Sequence, residues 1–236
     1  RVLGEGDEDR GPEHRAPERA DAAEDRLAHV RAASGMALVD TAQGHRLAVV
    51  QDDVSIVALV DPSTGLAEAL ALPLNAAGQR TFDDAHGNRS QKLDFESATR
   101  IVLDGKQVVL AAGSGSTPRR ESLLLVHVED GNRLERLDAH NLYAAMRALK
   151  GFSGSELNLE GCTSTANGDL RFFQRGNGAE AFGLKAANSI VDVPLVQVLA
   201  SARDGSLPAP QLLRVTRYDL GNVGGAALTF ADAAES

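Results

Sequence analysis

The feature that most constrains this chain is a stretch that comes back. Lys92 to Arg120 reads KLDFESATRIVLDGKQVVLAAGSGSTPRR, and Leu157 to Gly178 reads LNLEGCTSTANGDLRFFQRGNG. Each opens on Leu, a polar residue, an apolar residue and Glu. A strand-like run, a tight turn, a second strand-like run and a Gly-rich loop follow. The turns are Asp104-Gly105 and Asn167-Gly168, pairs that accept the left-handed conformations a two-residue hairpin needs. Ser34-Gly35, Glu96-Ser97 and Glu160-Gly161 fall in equivalent places, 62 and 64 residues apart, and Asp232 comes 72 residues after Glu160. A repeat of short strands predicts an all-β chain, and specifically a β-propeller of five or six blades when complete. The period exceeds the roughly 40–50 residues of the common propeller repeats; loops and a helix take up the difference. The competing architecture is a β-sandwich with an inserted helix, which would not repeat one motif.

Within the first unit, strands are predicted over 34–39, 46–51, 55–60 and 66–72, with DPSTG at Asp61 to Gly65 as a strong turn. The second unit places them over 97–103, 107–112, 123–128 and 133–137. The third places them over 162–165, 169–174 and 189–193, followed by 196–200 and 212–220. Between the second and third units, Leu142, Ala145, Met146 and Leu149 fall at helical spacing. That predicts a short helix over 138–150, capped by Asp138 or Asn141 and ended at Gly151. Residues 1–29 are crowded with charge, Pro and Gly and are expected to be a loosely ordered leader, or to carry a short helix over 16–29. The domain proper is expected over 30–236 and to be C-terminally incomplete, because LTFADAAES at the end reads as the opening of another unit.

Composition narrows the partners. Aromatics are 4% with no Trp, and the net charge is −9 with no basic run. Stacking platforms for single strands, binding of duplex nucleic acid and attraction to anionic membrane are all disfavoured. No apolar run approaches the ~20 residues of a membrane span. A soluble monomer, cytoplasmic or periplasmic, is expected. The single Cys162 excludes an internal disulfide and Cys-based zinc sites.

In a propeller the residues entering each innermost strand gather at one end of a central channel. By repeat position these are Glu96, Glu160 and Asp232, with Asp52 and Asp53 leaving the second strand of the first unit at the same end. Such a ring could bind calcium or another divalent cation through oxygen ligands. Alternatively, unequal burial would split Glu96 and Glu160 into an acid and a base. The plainer reading is that these acids accept backbone N–H bonds and fix turns. The loops GSGS at Gly113 to Ser116 and RGNG at Arg175 to Gly178 could form backbone anion nests. Ser114, Arg119, Arg120, Arg175 and Asn177 are the candidate contacts for a small anionic molecule, the arginines as a phosphate or carboxylate clamp; tight loops with surface Arg are the alternative. GSGS is neither a nucleophile elbow nor a Walker loop.

At KLDFES, GSGSTPRR, LNLEG, QRGNG and LTFADA the chain resembles a bacterial family of uncharacterised propeller proteins, over roughly residues 34–236. More remotely, the D/N-x-E-[GS] entry to a strand resembles esterase-like phytases and gluconolactonase-type propellers, and in the latter acids around the channel bind a divalent metal. The resemblance implies a metal or acid/base role for Glu96 and Glu160. It implies a metal-assisted hydrolase of a small phosphoester, ester or lactone; the alternative is a non-catalytic binding or scaffold propeller.

Overall fold

The computed structural model describes residues 18–19 and 30–234. Three antiparallel meanders carry the fold. The first runs β2 (Ala33–Thr41), β3 (Gly44–Gln51), β4 (Ile56–Val60) and β5 (Leu66–Ala71), and a two-residue strand β1 (Glu18–Arg19) pairs along the outer side of β5. The second runs β6 (Phe95–Leu103), β7 (Lys106–Gly113), β8 (Ser122–His127) and β9 (Arg133–Asp138). The third runs β10 (Leu159–Ser164), β11 (Asp169–Gln174), β12 (Asn188–Pro194) and β13 (Val215–Tyr218). A two-stranded sheet, β14 (Asn222–Val223) with β15 (Ala226–Ala227), follows. The protein is thus mostly β, with three four-stranded sheets packed together. The leader expected over 1–29 lies outside the described residues except for β1.

The middle sheet explains why its strands read as continuous apolar runs rather than alternating ones: both of its faces are covered. Val109, Ala111, Leu124 and Val126 pack with Ala37, Val39, Val50 and Leu59 of the first sheet. Val108, Leu110, Leu123 and Leu125 pack with Leu159, Cys162, Phe172 and Val191 of the third. The first strands are neighbours, β2 beside β6 and β6 beside β10.

Helix α1 (His140–Ala148) lies inside the span expected for it, with Leu142, Tyr143 and Met146 buried in the second core. The cap is neither Asp138 nor Asn141 but Ala139, whose side chain makes no capping bond: Asp138 stands one residue further out and accepts the His140 N–H at 2.9 Å, and Asn141 lies inside the helix with its Nδ2 donating to the Gly205 and Leu207 carbonyls. Gly151 does not end the helical segment. A further turn, α2 (Lys150–Ser153), carries the chain to Gly154, whose φ of +61° breaks it.

The strand expected over 196–200 is instead helix α3 (Leu195–Arg203). Val198 and Leu199 are buried, with Leu195 and Ala202 packed beside them. Those four positions form a stripe of helical period, while Val196 between them is exposed. The last expected strand of that unit shortens to β13.

Each sheet begins with the same irregularity. Pairing slips by one residue between Ala33 and Gly35, between Phe95 and Ser97, and between Leu159 and Gly161. The extra residues are therefore Ser34, Glu96 and Glu160. A bulge leaves its residue outside the ladder and re-aims its side chain, so one bulged residue per sheet is turned out of the pairing at equivalent places.

Candidate functional site

Cross-sheet bonds draw the three bulges to one end of the strands. The Ser34 hydroxyl donates to the Phe95 carbonyl, and the Leu159 N–H donates to the Ser114 carbonyl at 2.8 Å. The residue after the second strand of each sheet closes on the residue two before its bulge. The N–H groups of Asp52, Ser114 and Arg175 donate to the carbonyls of Ala32, Asp94 and Asn158. Gln51 and Gln174 brace equivalent corners: their Oε1 atoms accept the N–H groups of Arg31 and Asn158 at 2.7 and 2.8 Å.

Asp94 is the centre of this end. It is 3% exposed and sits at φ +59°, a conformation Asp tolerates better than most residues because its short carboxylate bonds locally. Its carboxylate accepts the Ser114 hydroxyl at 2.6 Å and pairs with Arg120 at 2.9 Å. Lys92 forms a close ion pair with Asp94 and a second one with Asp52 at 3.0 Å. Burial works to raise the Asp94 pKa, but the bonds from Lys92 and Ser114 outweigh it and hold the carboxyl below its ordinary value. Burial likewise works to lower Lys92, and its bonds to Asp94 and Asp52 reverse this and hold the ammonium above its ordinary value.

Glu96 stands beside this cluster in the opposite condition. Burial first, then the charges of Asp94 and Glu160, push its carboxyl up to about 9. A carboxyl in that range keeps its proton at neutral pH and can donate it. Glu160 pairs with Arg175 at 3.1 Å and accepts from Asn158 Nδ2 at 2.8 Å.

Among the described residues, Asp52, Asp94 and Glu96 form a group whose oxygens lie within 4.8 Å of one another and could hold a metal ion. All three are hard oxygen donors, and oxygens on opposite sides of a calcium ion are separated by about 4.6–5.2 Å. The space among them does not fit an ion as it stands, because the Lys92 ammonium already sits on two of the three.

Residues 29–236 match the model of a family described as being of unknown function. The chain belongs to DUF6929. No curated protein and no solved structure matches it.

In this DUF6929 chain the residues singled out from sequence divide into two sets. Asp52, Glu96, Glu160, Ser114 and Arg175 come together at one end. Asp53 does not join the acid group; it turns toward Arg31 at 3.8 Å. Asp232 is exposed and bonds the following Ala233 N–H, although Ala233 itself packs on Gly161. Arg119 is exposed, and the residue that reaches the acids is its neighbour Arg120. Ser114 is fully buried with its hydroxyl spent on Asp94, and Asn177 is exposed on the rim, where Asn158 Nδ2 approaches it at 3.5 Å. Lys92, which the sequence suggests as a partner of Glu96 or of an anion but more readily as a surface residue, is instead buried between Asp52 and Asp94, and Asp94 is the member that sequence reasoning left out. The signal for Asp94 was present: it occupies the same repeat position as Asn158, two before the Glu. A hollow of about 620 Å³ lies at the other end of the strands, among Asp40, Thr41, Gln107, Glu129 and Asn132, away from the acids. No helix among the described residues is long and apolar enough to cross a membrane.

Proposed function

We propose that this DUF6929 chain is a hydrolase of a small anionic ester, lactone or phosphoester, and that its three sheets are blades of a β-propeller with the site at one end of the channel. The observation that carries the site is the repeated bulge. It sets two carboxylic residues from neighbouring sheets, Glu96 and Glu160, at one end beside Lys92, Arg120 and Arg175. In this reading Glu96 is the proton donor to the leaving oxygen and Glu160 accepts a proton from the attacking water. The cationic side chains favour an anionic substrate. The propeller is supported by the neighbouring first strands and by the packing of Ala233 on Gly161, which parallels that of Ser97 on Gly35. An experimental structure in which the three sheets are not related by rotation about one axis would remove it.

The enzymatic reading is tested by screening the purified chain against ester, lactone and phosphoester panels. Turnover is expected, and Glu96→Gln should lower it by about 100-fold or more, the usual range for a lost acid–base group. One observation favours a second reading, a non-catalytic binding or scaffold domain. Every charge on Asp94 is already matched by Lys92 and Arg120, as bracing requires. Absence of turnover on all three panels selects it.

A further inference from the structure

The end of the sheets holds a cation of its own. Lys92 follows the 3₁₀ turn at Arg89–Gln91 and stands two residues before Asp94. Its side chain is 8% exposed, so the ammonium is confined rather than free to swing into water. It bonds Asp52, which leaves the first sheet, and Asp94, which enters the second. These are two of the three carboxylic residues whose oxygens are spaced for a divalent ion. At the corresponding place in the third unit the chain has Glu156, so the lysine belongs to this position and is not part of the repeat.

We infer that Lys92 is a tethered cation that takes the place of a divalent metal in the Asp52–Asp94–Glu96 group, so that the native chain does not load a metal there and removal of the ammonium opens a metal site. The physical case is competition for the same oxygens. An ammonium supplies one positive charge and up to three N–H donors to carboxylates, and no acceptor. Being part of the chain, it competes at an effective concentration of about mM or higher and loses no translational freedom on binding. A free ion must shed water and displace it. With Lys92 truncated, Asp52 loses this counter-charge and Asp94 keeps Arg120 alone, an excess of negative charge beside Glu96 that either a proton or an ion relieves. The inference stands on this geometry and does not rest on hydrolysis.

The test is thermal melting and isothermal titration of the full chain with calcium, magnesium and manganese chlorides, comparing the native protein with Lys92→Ala. The native protein should show no saturable heat and no shift in melting temperature. Lys92→Ala should melt lower without metal, bind at least one of the ions, and recover by about 5 °C or more at saturation. Adding Glu96→Gln or Asp52→Asn to Lys92→Ala should remove the gained response. A native protein that binds the ions as the variant does overturns the inference, and so does a folded variant that binds none. Should Lys92→Ala fail to fold alone, Lys92→Gln, which retains most of the side-chain volume, carries the same comparison. Failure of both variants to fold even with the ions present also overturns it, because a metal in the ammonium's place should restore them.

Discussion

Gly35 on β2 lies directly against the backbone of Ser97 on β6: a Cβ built on Gly35 would stand 2.6 Å from the Ser97 Cα and 2.8 Å from the Ala98 nitrogen. The two residues hold equivalent repeat positions, each just after its bulge, so the repeat sets the spacing between neighbouring sheets at this point. Backbone cannot yield as a flexible side chain can. Gly35→Ala is therefore expected to cost at least about 1–3 kcal/mol through overpacking. Urea titration should show it as a lowered midpoint with an unchanged slope; an unchanged midpoint would mean that the sheets can separate freely here.

Asp94 joins Lys92, Arg120 and Ser114, and its side chain is 4% exposed. Asp94→Asn keeps the shape and tolerates the positive φ, but it leaves a buried ammonium and a guanidinium without their shared counter-charge. The expected cost is about 3–5 kcal/mol. The double change Lys92→Met with Asp94→Asn should be less damaging than the two single costs added together. Strict additivity in the denaturation midpoints would show that the pair does not interact.

The pH dependence of stability follows from Glu96. Its folded pKa, about 9, lies above its ordinary 4.5, so between those values the folded chain binds a proton that the unfolded chain has released. This contribution is complete below about 4.5 and is lost as pH rises toward 9. Asp94 acts in the other direction: its lowered value means that its contribution is lost only as pH falls below the ordinary 3.8. Chemical denaturation from pH 5 to pH 9 should show falling stability in the native chain, and the fall should flatten in Glu96→Gln. An equal fall in both would assign it to other groups.

Phe182 is fully exposed and sits at φ +52°, followed by Gly183 at φ +74°, in a turn closed by two backbone bonds between Ala181 and Leu184. A bulky residue pays for that conformation with no burial in return, whereas Asn is favoured there. Phe182→Asn should relieve about 1 kcal/mol and raise the melting temperature by about 2–4 °C. A lowered melting temperature would show that the ring makes a stabilising contact.

Much of the β architecture was legible in the chain itself. Short strand-like runs, hairpin pairs such as Asp104-Gly105, and the return of Leu-polar-apolar-Glu located the three meanders and aligned Ser34, Glu96 and Glu160. These are local signals, set by backbone sterics and turn chemistry within a few residues. Helix α3 was misread because a short apolar run, VQVLA, suits either period, and only the core beneath it selected the helical stripe. The choice of Arg120 over Arg119 was decided by the phase of a single 3₁₀ turn. The membership of the polar centre was decided at longer range. Lys92 and Asp52 are 40 residues apart and meet because two sheets stack. The composition of that stack made Lys92 a buried counter-ion rather than a surface residue, and burial beside other carboxylates gave Glu96 a protonation state that no sequence spacing specifies.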